Sequence, residues 1–218
     1  MMDKTLEIKR IGNRPVSAAD VVSLLDAAGI APVRLDSANW SESFPYKPEV
    51  NFRIGHTGDA ILIAWTANEK NVRGVASDNG AVWEDSCVEF FISFNGGDSY
   101  YNIECNCRGG MLCGHGAGKT GRVNAPTADL DQVSRHSSLG PDAFETRPAD
   151  GPWHLAMIIP LSLFGDDAPD SLDGIVASGN FYKCGDALPD PHFLSWSPVK
   201  VDSPNFHLPE FFGKIVFD

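Results

Sequence analysis

No apolar run in this chain approaches the roughly 20 residues that a membrane-crossing helix needs, and the start, MMDKTLEIKRIG, lacks the apolar core of a secretory signal. Basic residues are scarce. Seventeen Lys and Arg stand against 29 Asp and Glu, a formal net charge of −12 with a pI near 4.8. Nucleic acid and anionic membranes both require a basic surface, so neither is expected as a partner. Cysteine is sparse and odd in number: five thiols over 218 residues do not make a disulfide framework and point to a reducing compartment. On that reading the protein is cytoplasmic if the sequence is complete, and periplasmic or secreted if a leader has been removed. Internal repeats and low-complexity linkers are missing too, and helical patterning is nearly so. The exception is Ser17 followed by AADVVSLLDAAG, with Ser17 as N-cap, Val21, Leu24, Leu25 and Ala28 as an apolar stripe, and Gly29 as stop.

What the chain has in quantity is two-residue alternation. The stretch from Trp83 to Arg108, WEDSCVEFFISFNGGDSYYNIECNCR, reads as a hairpin. Val88, Phe90, Ile92 and Phe94 share one face with Tyr101, Ile103, Cys105 and Cys107. Taking Asn95 to Asp98 as the turn, Phe94 is expected opposite Tyr101, Phe90 opposite Cys105 and Glu89 opposite Asn106. The second face then carries Glu89, Asn102, Glu104, Asn106 and Arg108 beside Trp83. This composition suits either a sugar-binding surface or the solvated outer face of an antiparallel sheet.

Further strands are expected at Val50 to Ile54, Ile61 to Trp65, Trp153 to Ile159, Gly174 to Lys183, Phe193 to Ser197 and Gly213 to Phe217, with one or two short edge strands between Ala125 and Pro152. About ten strands against one helix place the chain in the all-β class. The expectation is an antiparallel β-sandwich of two sheets, with jelly-roll or immunoglobulin-like layout and one N-terminal helix. At 218 residues it reads as one domain, 1–218, with 1–34 as a helical extension packed on the sandwich.

Several motifs invite other chemistry. GHGAGKT is one residue short of a phosphate loop and no amphipathic helix follows it. Cys105, Cys107, Cys113 and His115 could ligate zinc, but the spacing is unusual and strand phasing assigns Cys105 and Cys107 to the core. A thiol hydrolase would use Cys113 or Cys87 with His115, without any recognisable oxyanion-hole motif. A glycosidase would use Glu89 and Glu104 as its carboxylate pair, which on an open sheet face lacks the pocket needed to raise one pKa.

Taken in order, WEDSCVEFF, YYNIECN, GNFYKCGD, HFLSWSPV and NFHLPEFFGKIVF resemble the carbohydrate-binding family-nine-like modules, relatives of xylanase-attached sugar-binding domains and of the DOMON superfamily. The resemblance runs from about Trp40 to Phe217. It implies a DOMON-like jelly-roll sandwich that binds a mono- or oligosaccharide without catalysis, often beside a glycoside hydrolase in carbohydrate catabolism. It also implies a sugar held between two tryptophans, with a carboxylate and an arginine on its hydroxyls. By similarity these are Trp83 and Trp196, with Glu89 and Arg108. Asn106 joins them from the hairpin patch, and Tyr46, Arg73 and Lys183 are weaker candidates. His207 reads as a structural hydrogen-bonder, and Trp40, Trp65 and Trp153 as core. The resemblance further implies structural calcium, for which Glu84, Asp85 and Asp98 lie near the corresponding loops without an oxygen-ligand spacing. A fold that has lost its sugar site and serves as an interaction domain is the remaining alternative.

Overall fold

A computed structural model describes residues 4–12 and 14–218; Asn13 and the first three residues, part of the expected 1–34 extension and of the leader reading, lie outside the described residues. The chain folds as two facing sheets plus a small two-stranded one. The larger sheet runs in the spatial order β1 (Thr5–Ile8), β16 (Gly213–Phe217), β14 (Val176–Cys184), β7 (Cys87–Ser93), β8 (Tyr100–Asn106), β9 (Met111–Gly116) and β10 (Val123–Asn124). To it are added β15 (Phe193–Ser195), which pairs with β14, and β3 (Ser37–Ala38), which pairs with β15. The second sheet is β11 (Ser134–Ser137), β13 (Trp153–Pro160), β5 (Ala60–Asn68), β4 (Glu49–His56) and β2 (Val33–Arg34); β12 (Phe144–Pro148) and β6 (Asn71–Gly74) form the third. Among the described residues the strands pair antiparallel except that β1 lies parallel to β16, Thr5 opposite Lys214 and Ile8 opposite Phe217, and Arg10 adds an isolated parallel bridge to His56. The amino-terminal stretch, expected only as a helical extension, thus also supplies an edge strand.

The core between the sheets is aromatic and close-packed. Phe181 stacks on Phe90 at 4.6 Å and on Phe52 at 4.0 Å, and Trp196 meets its edge at 5.7 Å. Such pairs add about 0.5–1.5 kcal/mol each beyond the area they bury. β5 and β13 are apolar on both faces because the second sheet is covered outside as well. There the helix α1 (Val21–Ala27), entered by a 3₁₀ turn capped by Ser17, sets Val21 and Leu25 against Leu62, Ala64 and Ile158. Leu24 and Ala28, expected in the stripe, are exposed, because only Val21 and Leu25 of the helix face the sheet.

The β7–β8 faces alternate as the sequence indicates, but the pairing is displaced by two residues. Val88 faces Cys105, Phe90 faces Ile103, Ile92 faces Tyr101, and Glu89 stands directly opposite Glu104. The cause is the turn. Six residues, 94–99, separate the strands, and this wider loop closes through side chains: Ser93 Oγ accepts from Gly97 N at 2.9 Å, and Asn95 Oδ1 accepts from Ser99 N at 3.1 Å. The second face is not a solvated surface either. Every residue of β7 and β8 is buried, because loops bearing Trp40, Val199, Phe206 and Phe212 fold over Phe91, Tyr100 and Tyr182 as a second apolar layer.

Candidate functional site

The second layer does not close completely. It leaves a cavity of about 540 Å³ over the middle of β7 and β8. Glu89, Asn102 and Glu104 form its floor, Phe193, Phe206 and His207 one wall, and Trp83 and Asp186 another. Trp83 sits on a 3₁₀ turn just ahead of β7 and is 39% exposed. Glu89 and Glu104 are 3% and 5% exposed, so the carboxylates lie at the bottom.

Arg122 braces this floor. Its Nε donates to Asn102 Oδ1 at 2.8 Å, Nη1 to the carbonyls of Gly116 and Gly118, and Nη2 to those of Tyr100 and Gly114, while the guanidinium lies 4.3 Å over the Tyr100 ring. The glycine run that resembled a phosphate loop is the space Arg122 occupies. A Cβ on Gly114 would approach Asn102 Oδ1 to 2.7 Å and Arg122 Nε to 3.3 Å. Asn102 Nδ2 donates to Glu104 Oε1 at 2.7 Å, and the Cys184 thiol donates to Glu89 Oε1 at 3.0 Å. Glu104 Oε2 is buried without a partner.

Charge follows from this burial. Desolvation, then the facing Glu104, pushes Glu89 well above the usual carboxylate range. Burial lifts Glu104 to about 7 although Asn102 and Arg122 pull it down, so near neutrality the pair retains a proton. Burial raises Asp186 to about 6, and it lowers His207 to about 4, leaving a neutral imidazole whose Nδ1 lies 3.0 Å from the Tyr100 hydroxyl. The pocket that a paired-carboxylate site requires is therefore present.

Of the residues singled out in the sequence, the structure brings Trp83, Glu89, Asn102, Glu104 and His207 together here and places the others elsewhere. Trp196 is 4% exposed and packed in the main core against Phe181, so a two-tryptophan clamp with Trp83 is not formed. Asn106 is spent on Ala76 O, Asp85 Oδ2 and Gly110 N. Arg108 holds the carbonyls of Ala76 and Pro141; the two-residue register shift removes both from beside Glu89. Arg73 pairs with Asp85 and Glu145, and the Tyr46 hydroxyl accepts from Lys70 N. Lys183 is wholly buried on the other face of β14, 2.9 Å from Glu69 Oε1 and 3.0 Å from His192 Nε2. Arg122 and Asp186 were missed, His207 was read only as a structural hydrogen-bonder, and only the glycine run hinted at Arg122.

The metal and thiol readings do not fit. Asp85 gives both oxygens to Val75 N, Ala76 N, Asn106 and Arg73, and Asp98 lies in the loop at the opposite end of β7, about 20 Å away by strand rise, so Glu84, Asp85 and Asp98 make no joint calcium site. Cys105, Cys107 and Cys113 are core residues, while His115 stacks on Tyr101 and reaches Asp167 at 3.0 Å. Burial pushes the Cys113 and Cys87 thiols up to about 12, which withholds the thiolate a hydrolase needs. Cys87, Cys184 and Glu89 bring two sulfurs and an oxygen within 4.8 Å of one another, but the thiols as they stand are protonated hydrogen-bonders.

Comparison with known proteins agrees with this architecture. The sequence pattern of carbohydrate-binding family 9 matches residues 19–217. A solved structure from Bacteroides uniformis, provisionally described as a carbohydrate-binding protein, is 49% identical, with 99% of each chain covered and a TM-score of 0.95. A family 9 carbohydrate-binding module from Caldicellulosiruptor kristjanssonii in complex with glucose is 13% identical over 99% of this chain and 96% of that one, with a TM-score of 0.62. In complex with cellotriose, a family 9 module of the same organism is 14% identical over 98% and 93%, with a TM-score of 0.64. Among curated proteins nothing matches.

Proposed function

This chain belongs to carbohydrate-binding family 9, and we propose that the carbohydrate-binding module it forms takes a single sugar or a chain end into the cavity above Glu89 and Glu104. The observation that carries the reading is a half-exposed tryptophan at the rim of a cavity whose floor is two carboxylates. An indole plane buries the C–H face of a pyranose without losing hydrogen bonds, and the carboxyls accept from its hydroxyls. Hydrogen bonds to charged groups contribute about 1.5–3 kcal/mol each, enough to select among sugars. A role in carbohydrate catabolism beside a glycoside hydrolase belongs to the same proposal, which the family relationship supports.

Calorimetry of the full chain against a panel of mono- and oligosaccharides tests it. The expected result is binding of at least one sugar that Trp83→Ala weakens and Trp196→Ala does not abolish in the folded fraction. Binding unchanged by Trp83→Ala sinks the site; a silent panel favours an interaction domain.

The proton-holding pair also favours a second reading, hydrolysis by Glu89 and Glu104. Aryl glycosides assayed through the titration range of the pair decide it: turnover lost in Glu104→Gln supports hydrolysis, and no turnover leaves binding alone.

A further inference from the structure

The floor of the cavity offers acceptors and almost no donors. Each N–H of Arg122 is committed to a carbonyl or to Asn102, so its charge braces the strands while none of its hydrogens reaches a ligand. Asn102 is engaged by Arg122 at one end and gives a hydrogen to Glu104 at the other. Glu104 Oε2, in a side chain more than nine-tenths buried, has no partner at all, and Glu89 faces it across the strand pair with Asp186 on the wall beside them. Two facing buried carboxylates without a free donor between them form a site for a group that brings both hydrogens and positive charge.

Resting on the sugar-binding reading above, we infer that the sugar held in this cavity carries a free amino group, whose ammonium sits between Glu89 and Glu104. An ammonium has three donors for two carboxylates, and its charge removes the repulsion that the empty site relieves by keeping a proton. The other titratable or charged groups around the pair are Cys87, Cys184, Tyr100, Tyr182, Asp186 and Arg122, with Lys183 beyond the sheet and Lys119 and His207 elsewhere on the cavity lining. Of the two cations that line the cavity, Arg122 acts on Glu104 with its donors spent, and Lys119 acts on Asp186 and His207. A neutral hydroxyl in the same place leaves the proton on the pair; an ammonium displaces it. Binding of an amino sugar is therefore coupled to proton release, and binding of a neutral sugar is not.

The test is calorimetry with the full chain and glucosamine, glucose and N-acetylglucosamine, at slightly acid pH where the amine is protonated, in two buffers of different ionisation heat. Glucosamine is expected to bind about ten-fold or more tighter than glucose, with N-acetylglucosamine gaining nothing over glucose. Proton release accompanies glucosamine only. In Glu104→Gln the glucosamine-to-glucose ratio falls toward one. Should that variant fold poorly, the proton release of the unaltered protein still decides. Glucose binding as tightly as glucosamine, with Trp83→Ala weakening both, overturns the inference and leaves the sugar site standing. Silence toward all three while other neutral sugars bind overturns it as well. Silence toward every sugar removes the underlying reading with it.

Discussion

Replacing Glu104 with Gln should make the empty protein more stable above neutral pH, although the residue is buried at the heart of the candidate site. In the folded chain Glu104 titrates at about 7 against an ordinary value of 4.5, so folding favours its protonated form. The sign follows from linkage: a raised carboxyl contributes stability fully below about pH 4.5, and that stability drains away as the pH climbs through about 7. The difference of about 2.5 pH units corresponds to something on the order of 3 kcal/mol, a ceiling because Glu89 shares the burden. Gln keeps the shape and carries no charge, so it escapes the loss. Urea unfolding of both proteins at intervals from pH 5 to pH 8 measures it, since common contributions, Asp186 among them, cancel in the difference. The unaltered protein should lose stability relative to the variant by a few kcal/mol across that interval. A difference that stays constant with pH, or shrinks toward alkaline pH, would refute the reasoning about burial and pairing.

Trp83→Ala should leave stability within about 1 kcal/mol, because the ring is half-exposed, whereas Trp196→Ala should cost about 3–5 kcal/mol by opening a hole beside Phe181; thermal melts of the two variants separate these roles. Gly213→Ala places a Cβ within 2.3 Å of Trp196 Cζ3 and should cost about 1–3 kcal/mol in the same assay. Lys183→Met strands Glu69 beside Trp153 and should cost about 3–5 kcal/mol by urea unfolding near neutral pH. Burial works to raise Glu69, but Lys183 and His192 hold it at about 2, so its stabilisation is present above about pH 4.5 and is lost as pH falls toward 2; in the Met variant that acid-side loss should disappear from the pH profile.

The faces of the strands were legible because side chains alternate with a fixed period, and a register error of two residues preserves the face. The register itself was not, since it depended on a six-residue loop closed by Ser93 and Asn95 side chains rather than on a four-residue turn. Trp83 and Glu89 lie close in sequence, and the hairpin carries them to one place. Asp186 and His207 come from distant loops, and no local pattern ties them to β7. Trp196 shows the limit of reading a tryptophan as a ligand plate: similarity proposed it, but the chain just past β15, tied by Trp196 N to Phe181 O at 2.9 Å, turns the ring inward onto Phe181. Arg122 stood in plain view beside the glycines, whose emptiness made sense only once a guanidinium was seen lying across them.

The parallel pairing of β1 with β16 sets how the domain would carry a mechanical load. A pull applied through the two ends of this chain draws β1 toward Thr5 and β16 toward Phe217, in opposite directions along the same ladder. The hydrogen bonds between them are then sheared together instead of being unzipped one after another, so rupture requires several to fail at once. A module tethered at both ends would thus resist traction at its seam, with β14 standing between that seam and the β7–β8 pair under the cavity.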